Sequence, residues 1–517
     1  MSFFEKTHPE VSVKVEQTQE TKVLIIGGGY SGVGAAIKLQ QAGITDYVLI
    51  EKASKLGGTW RENTYPMAGA DTPSILYSFS FRRNPEWDYT FALQPQIERY
   101  IDETAEVFGI PAHVQFDTEA QIGEWDDTAA RWVVQTNKGT IHAKYVIACA
   151  GPMHEADMPD IPGVENFEGE AFHTARWDHN VDLNGKRVAV IGTGASAIQY
   201  VPVIQPQVKE LIVFQRTAPW VMPRLNKRAT NLKKSVYRRF PWINQRVADA
   251  IYAGSEAIQL LQRNPKRMKP LQRVSLMHLK HQVSDPTLRE QLTPHFAMGC
   301  KRMLFSNAWY PALAAPNTTV VSEGVQSIEP DGLVSTSGRK IEADVIIYST
   351  GFRVTDPDIA RRVRGRNGEL LADLWQGTPQ AYQTCTVHGY PNAFVLLGPN
   401  VGNGHGSATT LIELISDYIV KAIEETERQG AESVEVRQSV QDLWNAQVQD
   451  SLSGTVWNDG GCSSYYIDSN GVNSAIYPWT TVRFRRDTST FNPDEYEFGF
   501  AQTPETNDPA TKEAVPA

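Results

Sequence analysis

Two glycine loops hold the residues with the clearest chemical use. Gly27-x-Gly29-x-x-Gly32 follows an apolar run, Lys22–Ile26, and opens a small-residue stretch, Val33 to Gln41, that reads as a helix. The first glycine permits a tight turn. The second removes a side chain so that backbone N–H groups can approach a pyrophosphate, and the third lets helix and strand pack closely. A helix N-terminus adds partial positive charge where the diphosphate sits. Glu51 ends the next apolar run, 19 residues after Gly32, where a carboxylate can accept hydrogen bonds from ribose hydroxyls. A glycine turn without a ligand would explain the loop alone, but not strand, loop, helix and terminal acid in that order.

The second loop, Gly192-x-Gly194-x-x-Ala197, has the permitted alanine at its third position. Its following strand ends in Gln215-Arg216-Thr217, with Arg216 at the offset from Ala197 that Glu51 has from Gly32. A carboxylate repels a ribose 2′-phosphate, whereas an arginine binds one through charge-assisted hydrogen bonds. The second site therefore reads as built for NADPH, and the first for an unphosphorylated ribose, as in FAD or NAD. The plainer reading of Arg216 is a surface arginine at a strand end. Two dinucleotide sites in one chain suggest hydride transfer from NADPH to a flavin.

The elements that position these loops form a weak internal repeat. Each copy runs strand, glycine loop, helix, second strand, and far downstream a strand ending in small residues: KYVIACAG at 144–151 and DVIIYSTG at 344–351. This predicts an α/β protein with two Rossmann-like dinucleotide-binding domains, for FAD and NADPH, with a helical insertion in the second. The expected boundaries are 21–151 with 380–499 for FAD, 152–221 with 296–379 for NADPH, and 222–295 for the insertion. A flexible leader, 1–20, and a disordered tail, 500–517, flank them. Apolar spacing at Leu232, Val236 and Phe240, and at Val247 and Ile251, marks the insertion as helical.

Composition narrows the function. The 517 residues carry a net charge of −10, which excludes a general nucleic-acid binder. From Arg216 to Val283, however, 15 Lys and Arg face only Asp249 and Glu256, a surplus that suits attraction of an anionic ligand, or simply a solvated helical face. No run of apolar residues is long enough to span a membrane, so stable membrane insertion is not expected, and oligomeric state is not readable. Cys149, Cys300, Cys385 and Cys462 are scattered, with no C-x-x-C pair. That speaks against a disulfide framework and a zinc or other metal site, and fits a reducing, cytoplasmic setting. It also argues against a disulfide reductase and leaves dioxygen as the oxidant.

Between the loops, Phe167-x-Gly169-x-x-x-His173-x-x-x-Trp177-Asp178 resembles the fingerprint of type I Baeyer–Villiger monooxygenases. So do Gly57-Gly58-Thr59-Trp60 continuing to Tyr65-Pro66-Met67 and Asp71, and the GCKR of 299–302. The stretch DTPSILYSFSF at 71–81 is closest to the branch containing 4-hydroxyacetophenone monooxygenases.

The resemblance implies an FAD-containing, NADPH-dependent enzyme that converts ketones to esters or lactones through a peroxyflavin, with sulfides as further substrates. It makes Arg302 the catalytic cation beside the reacting oxygen and Asp71 the carboxylate that holds it. Arginine suits this task because it keeps its proton. The implied cofactor-contacting set is Gly27, Gly29, Gly32, Glu51, Gly58, Thr59, Trp60, Asp71 and Tyr77 with Gly192, Gly194, Ala195, Ser196, Gln199, Arg216, Thr217 and Lys301. Phe167, Gly169, His173, Trp177 and Asp178 are implied to serve interdomain motion, so His173 is neither acid nor base. In GPNVGNGHGS at 398–407, His405 either contacts flavin or caps a turn. Where the family often shows C-x-S-W-Y, this chain has Cys462-Ser463-Ser464-Tyr465-Tyr466, which leaves loop closure over NADP open. The alternatives are a flavin monooxygenase restricted to nitrogen or sulfur and a non-catalytic nucleotide-binding redox sensor.

Overall fold

The computed structural model describes residues 18–500 except 403 and 405. Of the leader expected at 1–20, residues 18–20 belong instead to the first strand, where they pair with 140–142, and 1–17, the tail from 501 and His405 lie outside the described residues.

Strand Thr18–Ile26 lies at the centre of an eight-stranded sheet, paired in parallel with Tyr47–Ile50 on one side and Gly139–Ala148 on the other. Its residues Val23, Leu24 and Ile25 are fully buried, as expected of a parallel strand covered on both faces. Each such side chain contributes about 1.5–3 kcal/mol by leaving water. Helix Tyr30–Gln41 covers one face and lies so close to helix Ala408–Gln429 that a Cβ on Gly34 would stand 2.7 Å from Ile412.

The register aligns the strand ends. Ile26 lies opposite both Ile50 and Ala148, so Gly27, Glu51 and Cys149 emerge together at one edge. The second sheet repeats the device. Its five parallel strands run in the order Thr318–Val321, Glu210–Phe214, Arg187–Ile191, Val345–Tyr348 and Glu170–His173. Ile191 lies opposite both Phe214 and Tyr348, which brings Gly192, Gln215 and Ser349 to a common edge. The fingerprint segment is thus not free linker: its residues 170–173 form the edge strand of the second sheet. The return to the first sheet is made by Val363–Arg364, which pairs with Ala120–Asp126, ahead of position 380.

The insertion consists of helices Asn231–Arg239, Pro241–Gln262, Lys269–Gln282 and Pro286–Gln291. A two-residue parallel ribbon, Val221–Met222 on Leu304–Phe305, closes its base. Its apolar spacing marks helix but not burial, since Leu232 is 75% and Phe240 44% exposed.

One expectation fails outright: Cys300 and Cys462 are joined by a disulfide. They stand 162 positions apart and meet because their loops wall the same cleft, a proximity that cysteine spacing cannot reveal. The bond also removes the cysteine pattern as an argument about compartment. Cys149 and Cys385 are free and buried.

Candidate active site

A cleft of about 1680 Å³ runs between the two sheets' carboxyl edges and is lined by both glycine loops, Asp71, Arg302 and residues 463–466. At the first loop, Gly27 has φ +108° and a Cβ there would stand 2.6 Å from the Cys149 carbonyl oxygen. A Cβ on Gly32 would lie 1.9 Å from the Gly27 oxygen, so only glycine lets the helix start there. Glu51 is buried and its Oε2 accepts from the Gly28 N–H at 2.7 Å, while Oε1 accepts from Ala53 N–H at 2.9 Å and Arg61 at 3.1 Å. The carboxylate therefore fixes the loop. Gly58, at φ +51°, lies against Gly29 and precedes the short helix Thr59–Glu62. Trp60 donates its indole N–H to the Tyr77 hydroxyl at 3.0 Å, and burial pushes that hydroxyl up to about 12.

At the second loop, no atom lies within 4 Å of where a Cβ on Gly194 would stand, and Gly194 and Ala195 face open cleft. Ser196 precedes the helix Ala197–Ile204 and makes no side-chain capping hydrogen bond to it. Arg216 and Thr217 are exposed at the strand end. Lys301 reaches Thr217 Oγ1 at 2.9 Å. Burial and the neighbouring Arg216 charge both push the Lys301 ammonium down, as expected of two cations held together without an anion between them. Gln199 lines the cleft and also bridges to the first domain. Its amide accepts from Gly69 N–H at 3.1 Å and donates to Gly69 O at 3.0 Å, so it clips the second domain to the segment leading to Asp71.

Arg302 and Asp71, 231 positions apart, form a two-pronged pair: Nη2 to Oδ1 at 2.7 Å and Nε to Oδ2 at 2.5 Å. Their side chains are 29% and 28% exposed. Burial alone would push the Asp71 carboxyl up, but the Arg302 charge and hydrogen bonds outweigh it and hold it below the usual range. The Asp71 charge raises Arg302 in turn, against burial. Arg302 is thus a permanent cation of fixed orientation, facing Tyr465 and Tyr466, whose rings stand 4.5 Å apart edge to face. Tyr465 is 41% exposed.

A second guanidinium escaped the sequence reading. Arg224 donates to the Ala70 carbonyl at 3.1 Å and stacks over Phe91 at 5.2 Å. Its charge also bears on Asp71. The only sequence signal was its place in the basic stretch. The ribbon explains it, because Arg224 follows Val221–Met222 by two residues just as Arg302 precedes Leu304–Phe305 by two.

The fingerprint residues pack on the second sheet. A Cβ on Gly169 would strike the Asp344 oxygen at 2.4 Å and the Phe167 ring. His173 is buried. Its Nδ1 accepts from Ala175 N–H at 3.0 Å and its Nε2 has no partner. Burial, then the Arg176 charge, lower it to about 4, so it stays neutral near pH 7. Trp177 packs on Phe172 and Tyr200 at 5.1 and 5.0 Å, and Asp178 caps a turn through Asn180. A further link to the first domain is Arg176, which meets Glu62 at 3.0 Å. Burial pushes Glu62 up, but His154, Arg176 and Arg61 outweigh it and hold it at about 2. Among the described residues no group of three His, Cys, Asp or Glu is placed to hold a metal, and no helix is long and apolar enough to cross a membrane.

The family model described as Pyridine nucleotide-disulphide oxidoreductase matches residues 24–283. A Baeyer–Villiger monooxygenase of Streptomyces coelicolor is 41% identical over 93% of this chain and 93% of its own. One of Pseudomonas aeruginosa is 41% identical over 92% of this chain and 91% of its own. Among solved structures, the closed form of cyclohexanone monooxygenase superposes with a TM-score of 0.84 at 26% identity, over 94% of this chain and all of that one. The OTEMO complex with FAD and NADP does so with 0.84 at 26% identity, over 93% of this chain and all of that one.

Proposed function

This chain belongs to the Baeyer–Villiger monooxygenases, and from that membership we propose that Arg302, held by Asp71, is the cation that makes its cleft an oxygen-inserting site. The enzyme is an FAD- and NADPH-dependent monooxygenase that uses dioxygen to convert ketones to esters or lactones. FAD supplies the centre where dioxygen is activated, and NADPH supplies the hydride. Oxygenation of nitrogen or sulfur alone and non-catalytic redox sensing are not favoured.

The residues suit both groups. The close contact of Gly29 with Gly58 and the buried Glu51 leave a bare backbone cradle for FAD. The open space over Gly194 and the unneutralised cations Arg216 and Lys301 suit the diphosphate and 2′-phosphate of NADPH. Gly58, Thr59, Trp60 and Tyr77 line the flavin side, and Ala195, Ser196 and Thr217 the NADPH side. Gln199 positions Gly69 and the Asp71 segment. His173, Trp177 and Asp178 brace the domain junction. The basic insertion draws the anionic cofactor toward the cleft. We place the enzyme in the cytoplasm, where NADPH is supplied, and extend its substrates to sulfides.

The observation that carries this reading is the two-pronged Asp71–Arg302 pair inside a cleft shared by both glycine loops. A guanidinium that cannot lose its proton, aimed by a carboxylate in a partly dry site, stabilises negative charge on the reacting oxygen without reorganising. Arg302 holds that charge and Asp71 sets its direction. The test is anaerobic reduction of the holoenzyme by NADPH, followed by oxygenated buffer with and without a ketone. Ester formed only in the aerobic, ketone-containing arm supports the reading, and NADPH consumption without ester over a broad ketone panel refutes it.

A further inference from the structure

The Cys300–Cys462 bond joins two walls of the cleft. Cys300 directly precedes Lys301 and Arg302, and Cys462 directly precedes Ser463–Tyr466, all of which line the cleft. Gly461, on the other side of Cys462, shares a second hollow with Arg216, Thr217 and His295. The two walls touch at one further main-chain point, where Ala297 N–H donates to the Gly460 carbonyl at 2.8 Å. The fit there is tight, since a Cβ on Gly460 would stand 2.6 Å from the Cys300 Cβ. The disulfide is therefore the covalent clasp between the segment bearing Lys301 and Arg302 and the loop bearing Tyr465 and Tyr466.

We propose that Cys300 and Cys462 are a redox-active pair, and that their oxidation by hydrogen peroxide clasps the 460–466 loop over the NADP site and slows NADP release. The proposal rests on the assignment of NADPH to Arg216 and Lys301. Oxidation forms one S–S bond and breaks the O–O bond of the peroxide. Each sulfur gives up one electron, and the two thiol protons leave in two molecules of water. Hydrogen peroxide is what a flavin monooxygenase releases when it spends NADPH and dioxygen without oxygenating a substrate, so the enzyme supplies its own oxidant. Reduction runs the other way, with a dithiol taking over the bond by exchange at Cys462, the less buried of the two residues.

Selectivity follows from placement. Lys301 and Arg302 put positive charge beside the pair, which favours the reactive thiolate. Cys300 is itself only 1% exposed, so peroxide reaches the pair through the partly buried Cys462. Cys149 and Cys385, at 4% and 0% exposure, have no cysteine partner, and burial pushes their thiols far up. They stay reduced and serve as internal controls.

Linkage makes the idea measurable. If the clasp tightens NADP+ binding about tenfold, bound NADP+ must stabilise the disulfide by the same factor. For a two-electron couple that lowers the midpoint potential by about 30 mV. The holoenzyme is equilibrated in a series of dithiothreitol redox buffers with and without saturating NADP+, trapped with a maleimide and mapped by peptide mass. NADP+ affinity is measured separately by calorimetry in both states. The expected results are labelling confined to Cys300 and Cys462, a midpoint about 30 mV more negative with NADP+, and about tenfold weaker NADP+ binding after reduction. Cys462→Ser binds NADP+ with the weaker affinity in every buffer. An unchanged midpoint, with NADP+ shown to bind, overturns the clasp and leaves the cofactor assignment standing. Absence of NADP+ binding in both states overturns the assignment, and the clasp with it.

Discussion

Replacing Arg302 by alanine removes the charge on which the chemistry depends, and its cost can be worked from the geometry. The pair is about three-tenths exposed, so an effective dielectric near 20 applies rather than that of a dry interior. A unit positive charge about 4 Å from a developing negative one is then worth about 4 kcal/mol. At one decade of rate per 1.36 kcal/mol, ester formation falls by about a thousandfold, in the range of a lost oxyanion donor. The fold survives. Asp71 keeps the Arg224 charge nearby, and a partly solvated pair costs about 1–2 kcal/mol to break. Asp71→Asn keeps the cation but loosens its aim, so the loss is smaller, about ten- to a hundredfold. Neither variant touches the phosphate-binding residues, so hydride transfer from NADPH proceeds near the parent rate. Stopped-flow flavin reduction and ester yield per NADPH, measured on the same samples, separate the two steps. Ester formation by Arg302→Ala within tenfold of the parent, at full flavin content, refutes the role given to this residue.

Arg216→Ala and Lys301→Ala each raise KM for NADPH by about ten- to a hundredfold and leave NADH nearly unaffected. Steady-state titration with both coenzymes checks this, and raised salt slows NADPH association in the parent. Gly194→Val places its side chain in space empty to 4 Å, so thermal stability holds while calorimetric NADPH binding is lost. His173 titrates at about 4 in the fold against 6.5 outside it. Because the folded value is depressed, its neutral form costs nothing above pH 6.5, and stability drains away between pH 6.5 and pH 4 by about 3 kcal/mol in total. His173→Gln flattens that part of the Tm-against-pH profile, and an unchanged slope refutes the burial argument.

What the sequence disclosed follows from the range over which its signals act. The glycine loops, their strands and Glu51 are local constructions, fixed by sterics within about 30 residues, and the matching offset of Arg216 was readable for the same reason. Asp71 and Arg302 were legible as a pair only through family resemblance, because no local rule links positions 231 apart. The disulfide had no such resemblance to reveal it, and cysteine spacing argued the wrong way. Arg224 and Gln199 owe their roles to tertiary placement, one to a two-residue ribbon and the other to the Gly69 backbone. The apolar spacing of Leu232 and Val236 gave the helix but not its surroundings, and Phe240 falls at the break between two helices. Burial holds the His173 imidazole neutral near pH 7, while its exclusion as acid or base rests on the family resemblance.

The central claim is that this cleft inserts one oxygen atom of dioxygen beside a carbonyl. Turnover with a ketone panel under isotopically heavy dioxygen, with product mass analysis, tests it most directly. The expected product is an ester or lactone carrying one heavy oxygen atom per molecule, formed in step with NADPH consumption. Products whose inserted oxygen comes from water, or heavy oxygen found only in hydrogen peroxide, contradict it.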